Sequence, residues 1–231
     1  VFSITGSNDA AVISGTSTGA VTEAGGVANA TAGTPTATGT LTSSDVDGTT
    51  NAFTPVSTST TSAGGYGSYT MTAGGVWTYT LNNDNTTVQA LAANATLADT
   101  FTVTAADGTQ QVVSVTITGS NDTPTLTAAP QSVQLVEAGG VDNAVAGDST
   151  ATIAFTNVDV DGSTPSYVTT GWTAQGSGVF TKVGTYGTAS LNTATGVVTY
   201  TLDNTLVSTQ GLVADESAND TFAIVVSDGA A

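Results

Sequence analysis

Trp77-Thr78-Tyr79-Thr80-Leu81 sets a large apolar side chain at every second position with threonine between, and this alternation decides the fold class. Successive side chains of a strand point to opposite faces, so such a stretch buries one face and wets the other. Phe101-Thr102-Val103-Thr104 and Val113-Ser114-Val115-Thr116-Ile117-Thr118 carry the same pattern. No segment sustains the 3.6-residue period of an amphipathic helix. Short strands separated by Gly, Asn, Asp and Ser clusters predict an all-β chain, each domain having seven or so strands in two packed sheets. Trp77, in phase with Tyr79 and Leu81, belongs to the expected core. The one exception is Val88-Gln89-Ala90-Leu91-Ala92-Ala93, matched by Val207 to Leu212, which reads as a single helical turn between the sheets.

Outward from this strand the chain repeats itself. Thr78-Tyr79-Thr80-Leu81 returns as Thr199-Tyr200-Thr201-Leu202, Asp99-Thr100-Phe101 as Asp220-Thr221-Phe222, and Asp107-Gly108 as Asp228-Gly229. Upstream, Thr5-Gly6-Ser7-Asn8-Asp9 returns as Thr118-Gly119-Ser120-Asn121-Asp122, Glu23-Ala24-Gly25-Gly26-Val27 as Glu137 to Val141, and Asp45-Val46-Asp47-Gly48 as Asp159 to Gly162. The order never scrambles, which is the signature of a tandem array. Residues 8–118 form a first repeat, 119–123 a linker, and 124–231 a second repeat with an insertion of about seven residues between Gly162 and Tyr200. Residues 1–7 match the final strand and linker start of a repeat, whereas only Ala230 and Ala231 follow Asp228-Gly229. The second repeat is therefore expected to lack its last strand. Either flanking repeats continue the array, or copies join head to tail, residues 1–5 adding beside the Phe222 to Val226 strand of the next copy.

Of 231 residues, one is Lys or Arg, eighteen are Asp or Glu and none is His, a formal charge of −17 from a chain only 8% charged. Lys182 is the sole basic residue, so phosphate backbones and anionic lipid surfaces find no electrostatic partner here. Without His, Cys or Arg there is no Ser-His or Cys-His nucleophile pair, no thiolate zinc site and no arginine clamp. A hydrophobic content of 39% supports folded cores, and no apolar run approaches the roughly 18 residues of a membrane span.

Twelve of the acids keep register between the repeats: Asp9 with Asp122, Glu23 with Glu137, Asp45 with Asp159, Asp47 with Asp161, Asp99 with Asp220, and Asp107 with Asp228. Sandwich topology gathers Asn8, Asp9, Asp45, Asp47 and Asp107 at one end of the first domain, and Asn121, Asp122, Asp159, Asp161 and Asp228 at that end of the second. Glu23 and Asp99 face the following linker. Six carboxylates then meet at the junction with no cation among them, and like charges in a partly desolvated site repel strongly. Calcium, which takes six to eight oxygen ligands, is the expected neutraliser, and magnesium suits all-protein cages less well. Asn157-Val158-Asp159-Val160-Asp161-Gly162 opens like an EF-hand loop, but Val168 stands where that loop needs Glu. Turn chemistry, with Asp capping its own loop and Gly taking positive φ, is the competing reading of Asp-x-Asp-Gly.

The Thr-Gly-Ser-Asn-Asp linkers, Glu-Ala-Gly-Gly, Leu41 through Asp47, Tyr66-Gly67-Ser68-Tyr69 followed by Trp77 to Leu81, and Ala106-Asp107-Gly108 together resemble VCBS repeats. These are cadherin-like, Ig-like domains strung in tandem in large type I secreted bacterial adhesins of the RTX class. The resemblance implies an extracellular or cell-surface place, calcium at domain junctions, and a stalk, filament or biofilm role. The second repeat departs from it in having Val198 where the first has Trp77, and no glycine-rich RTX nonapeptides are present.

A non-catalytic structural extender is the leading expectation. Asp45 and Asp47 make a poor glycosidase pair because they alternate in one wet loop and recur at Asp159 and Asp161. A glycan- or cell-surface-binding module, or a subunit of a filament or surface layer, is the alternative; Trp172, in the insertion, is its candidate aromatic platform. The expected partners are neighbouring repeats or other copies of the chain, with host or matrix glycans next, and neither nucleic acid nor membrane.

Overall fold

A computed structural model describes residues 1–48, 50–128, 133–162 and 164–229. The chain is all-β and divides into two compact units, Val1–Thr123 with Val160–Ser163, and Pro124–Asp159 with Thr164–Ala231.

The first unit contains β1 (Val12–Gly15), β2 (Thr18–Thr22), β3 (Thr36–Ser44), β4 (Val56–Thr61), β5 (Gly67–Met71), β6 (Val76–Leu81), α1 (Thr86–Gln89), β7 (Thr96–Thr104) and β8 (Gln110–Thr118). One sheet has the order β1-β3-β6-β5-β4 and the other β2-β8-β7. Gly15, at φ 110, lets the chain leave the first sheet, after which β2 runs parallel to β8 from Thr18↔Ser114 to Thr22↔Thr118. The alternation read in the sequence appears as burial: Trp77, Tyr79 and Leu81 are buried on β6, Phe101 and Val103 on β7, and Val113, Val115 and Ile117 on β8. The Trp77 indole donates to Thr16 O at 2.7 Å and lies over Gly39, where a Cβ would stand 2.4 Å from the ring. The helical turn is α1, which starts two residues before the expected Val88, because Asn85 caps it with a side chain that accepts from Thr87 and Val88 N–H, and ends at Gln89. It carries the chain from β6 to β7, which lie in different sheets.

The second unit contains β9 (Thr125–Ala128), β10 (Thr150–Val158), β11 (Ser166–Tyr167), β12 (Thr173–Gly176), β13 (Val179–Val183), β14 (Gly187–Asn192), β15 (Val197–Leu202), α2 (Val207–Gln210) and β16 (Val226–Ser227). Its larger sheet runs β12-β13-β14-β15-β10-β9, and β11 pairs with β16. The insertion is the β12–β13 hairpin. It turns at Ser177 (φ 53) and Gly178 (φ 75), both positive as a type I′ turn requires, and adds β12 as an extra edge strand. Trp172, at its base, is half-buried, 6.3 Å from the Phe222 ring, with the Lys182 ammonium 5.8 Å above it. Residues 217–225, the counterpart of β7, are not in a strand. The core is correspondingly small: Ala189, Leu191 and Val198 are buried, with Phe155, Tyr167, Tyr200, Phe222 and Ile224 partly so. Ala230 and Ala231, on which the missing-strand expectation turned, lie outside the described residues. Val1, Phe2 and Ile4 are exposed and in no sheet.

Candidate functional site

At one end of the first unit, Asn8, Asp45, Asp47 and Asp107 line a cleft of about 290 Å³ with Gly48, Thr50 and Ala106. The loops after β3 and β7 bring these carboxylates to the chain that enters β1. Asp9 takes part through its backbone, its N–H donating to Asp47 at 3.2 Å and 3.3 Å. Ala11 N–H donates to Asp107 Oδ2 at 2.8 Å, and Thr109 adds its hydroxyl at 2.6 Å and its N–H at 3.0 Å. The Thr109 hydroxyl foremost, then the Ala11 and Thr109 N–H groups, hold Asp107 below the usual carboxylate range. Asp45 Oδ1 accepts from Asp47 N–H at 3.3 Å, the Asp-capped turn that the sequence also allowed.

Glu23 anchors a second cluster in the same unit. It is fully buried; Oε1 accepts from Ser120 N–H at 2.9 Å, while Oε2 is buried with no hydrogen-bond partner. Asp122 and Asp161 stand near it, both buried, and Asp122 N–H donates to Asp161 Oδ2 at 3.3 Å. Burial first, and then the charges of Asp122 and Asp161, push Glu23 up to about 7 against the lowering effect of the Ser120 N–H. A carboxylate at such a depth needs a proton or a cation.

The second repeat reproduces the local geometry. Asn121 Nδ2 donates to Asp122 O at 2.9 Å as Asn8 Nδ2 donates to Asp9 O at 2.7 Å, and Asp122 meets Asp161 as Asp9 meets Asp47. Glu137 Oε2, like Glu23 Oε2, is buried without a partner. One contact cannot recur, because Pro124 occupies the place of Ala11 and has no N–H for Asp228. Of the six carboxylates expected at the junction, Glu23, Asp122 and Asp161 lie in the first unit and Asp159 and Asp228 belong to the second.

Asp99 and Asp220 require correction. The strand begins at Thr96, not at Asp99, which lies inside the fold at 1% exposure. Its Oδ2 accepts from the hydroxyls of Ser62 at 2.5 Å and Tyr79 at 2.8 Å, and its Oδ1 from the N–H groups of Gly64 at 2.9 Å and Thr100 at 2.8 Å. Four donors fill the four lone-pair sites of the carboxylate and leave none for a metal. Asp220 accepts likewise from Tyr200 OH at 2.6 Å and from Thr185 and Tyr186 N–H at 2.7 Å and 2.9 Å. Asp99 serves the interior of the first repeat, whereas Asp220, with three donors, is half-buried in the second.

Sequence reading missed the partners that make these arrangements work. Asn83 Oδ1 accepts from Ala24 N–H at 3.1 Å and Asn204 Oδ1 from Ala138 N–H at 2.9 Å, fixing the residue after Glu23 and the residue after Glu137. Their shared place two residues beyond Leu81 and Leu202 was a visible signal. Tyr79 and Tyr200 were visible only as apolar positions.

Among the described residues, no three carboxylates converge closely enough to hold a metal ion by side chains as they lie. The donor chemistry nevertheless fits a hard cation: every candidate group is an oxygen, and two buried glutamate oxygens, Glu23 Oε2 and Glu137 Oε2, have no donor. No helix among the described residues is long and apolar enough to cross a membrane. No curated protein was found to match the sequence. Residues 8–119, just under half of the chain, match the family model of the bacterial cadherin-like domain, a family of structural and adhesive modules, so the first repeat is similar to a cadherin-like repeat.

Proposed function

We propose that the chain is an extender segment of a secreted bacterial surface adhesin of the VCBS and RTX kind, stiffened by calcium at the repeat ends. The observation that carries this reading is the pair Glu23 and Glu137, each burying an Oε2 with no donor at equivalent places in a chain with one basic residue. Glu23, Asn121, Asp122 and Asp161 would hold the ion at the linker end of the first unit; Asn8, Asp45, Asp47 and Asp107 form the corresponding cleft at its other end. Glu137, Asp159 and Asp228 are the second repeat's contributions. Calcium supplies charge neutralisation and many oxygen contacts and no catalysis. By holding Val160–Ser163 to the first unit it restricts bending of the linker. Bacterial cadherin-like domains are typically extracellular, and the partners we assign are neighbouring repeats or further copies of the chain.

Melting and small-angle scattering in millimolar calcium and then in chelator test this. A higher Tm and a narrower distribution of dimensions with calcium are expected. Identical curves in both would overturn the calcium joint. Glycan binding receives less support, because Trp172 is half-buried, 6.3 Å from the Phe222 ring and with the Lys182 ammonium 5.8 Å from its own ring.

A further inference from the structure

Thr-Gly-Ser-Asn-Asp and Glu-Ala-Gly-Gly-Val each occur twice in the chain, and in the first unit one copy of each is joined to the other. Glu23 N–H donates to Thr118 O at 3.1 Å, Ser120 N–H to Glu23 Oε1 at 2.9 Å, and Gly26 N–H to Asn121 O at 2.8 Å. The turn after α1 holds the same segment. Gly119 N–H donates to Ala95 O at 2.8 Å and accepts at its own carbonyl from Asn94 N–H at 3.0 Å. Two glycines permit this approach: a Cβ on Gly25 would stand 2.5 Å from both Ser120 Oγ and Asn121 O, and one on Gly119 2.4 Å from Ala92 O.

The other copy of each motif keeps the sequence and the local shape without that contact. Gly140 stands at φ 80 as Gly26 does at φ 78, and Asp215 at φ 66 as Asn94 does at φ 65. Yet Glu137, Ala138 and Gly139 are half-buried where Glu23, Ala24 and Gly25 are buried. Among the described residues nothing lies within 4 Å of a Cβ built on Gly139 or on Gly6, and neither glycine has a positive φ. Neither backbone conformation nor packing within the chain therefore calls for glycine at these two positions. Thr5, Gly6 and Ser7 are exposed and in no strand, and Glu137 buries an Oε2 with no hydrogen-bond partner.

We propose that the Glu137–Gly140 loop and the turn after α2 form a docking seat for residues Thr5–Asp9 of a second copy of this chain, joining copies head to tail. Sequence identity selects the occupant, because these are the same five residues that the equivalent seat of the first unit holds. By that template Thr5 O accepts from Glu137 N–H, Ser7 N–H donates to Glu137 Oε1, Asn8 O accepts from Gly140 N–H, and Gly6 pairs with the backbone of Asp215 and Glu216. The glycines at 6 and 139 give the close approach that Gly119 and Gly25 give in the first unit. The inference deepens the reading that further copies of the chain are partners, and it rests on that reading: Asp9, bonded to Asp47, would arrive at Glu137 as Asp122 and Asp161 stand at Glu23. In the first unit the segment is covalently tethered to its seat, whereas a second copy lacks that effective concentration, so a single seat associates weakly.

Mixing experiments on the full chain, which has no cysteine, test the seat. Chains with Ser7→Cys and chains with Gly139→Cys, combined at millimolar concentration in calcium under mild oxidation, should give a mixed disulfide dimer, since Ser120 Cβ lies 2.9 Å from a Cβ on Gly25 in the equivalent pair. Ser7→Cys combined with Thr87→Cys on exposed α1 should not. In sedimentation, Gly139→Leu and Gly6→Leu should each weaken association at least about tenfold and leave Tm at the wild-type value, because the new side chains meet nothing in their own chain. Gly25→Leu should instead lower Tm. Equal crosslinking in the two mixtures, or association indifferent to Gly139→Leu and Gly6→Leu, would overturn the proposal. Calcium that raises Tm while neither mixture crosslinks would overturn the seat and leave the calcium joint standing. Crosslinking specific to the Gly139→Cys mixture that persists in chelator would support the seat and count against the calcium joint.

Discussion

The Tyr79 hydroxyl donates to Asp99 Oδ2 at 2.8 Å inside the first unit, and Tyr200 to Asp220 Oδ2 at 2.6 Å inside the second. The latch joins the middle of β6 to β7, so it ties the two sheets together. Glycines make room for it in both repeats: a Cβ at Gly67 would stand 2.4 Å from the Tyr79 hydroxyl oxygen and one at Gly187 2.7 Å from that of Tyr200. Burial, and then Asp99, holds the Tyr79 hydroxyl above its ordinary range, so it stays a donor.

Tyr79→Phe should lower the stability of the first unit by about 1–2 kcal/mol, and Asp99→Asn by more, since an amide nitrogen would face donors. For a unit of this size that is a Tm drop of about 4–8 °C per kcal/mol. Calorimetric titration of Asp99→Asn should return the wild-type number of calcium ions; a lost ion would restore Asp99 as a ligand.

Glu23→Gln should act in opposite senses with and without calcium. Removing a buried charge that faces Asp122 and Asp161 relieves repulsion in the chelated protein, so its melting temperature should equal or exceed wild type. The stabilisation from calcium, about 2.7 kcal/mol at a hundredfold excess over Kd, should shrink. An unchanged calcium shift would remove Glu23 from the site.

The pH response of the second unit follows from Asp220. Against the cost of burial, the Tyr200 hydroxyl and the Tyr186 and Thr185 N–H groups hold it below the ordinary carboxylate value of 3.8. Its contribution is therefore present above that unfolded value and is lost as pH falls through the lower folded one. Stability of the second unit should decline through the acid range below about pH 4, and Asp220→Asn should flatten that decline in acid unfolding followed by Trp172 fluorescence.

Gly39→Val should destabilise the first unit by about 1–3 kcal/mol, because even its Cβ would stand 2.4 Å from the buried Trp77 ring. Chemical denaturation monitored by Trp77 emission measures the loss. Wild-type stability would mean that the Trp77 packing relaxes more freely than its complete burial implies.

The sequence by itself determined the all-β class, the tandem repeat and the core face of β6 to β8, because side-chain alternation is local and the hydrophobic effect acts on it strand by strand. It also placed Asn8, Asp45, Asp47 and Asp107 at one end, since topology alone sends those loops there. It could not separate Asp99 and Asp220 from the other register-keeping acids, as composition and spacing are the same for a ligand and for an internal anchor. Only the tertiary structure decided that, by bringing Ser62, Gly64 and Tyr79 from distant strands onto one carboxylate.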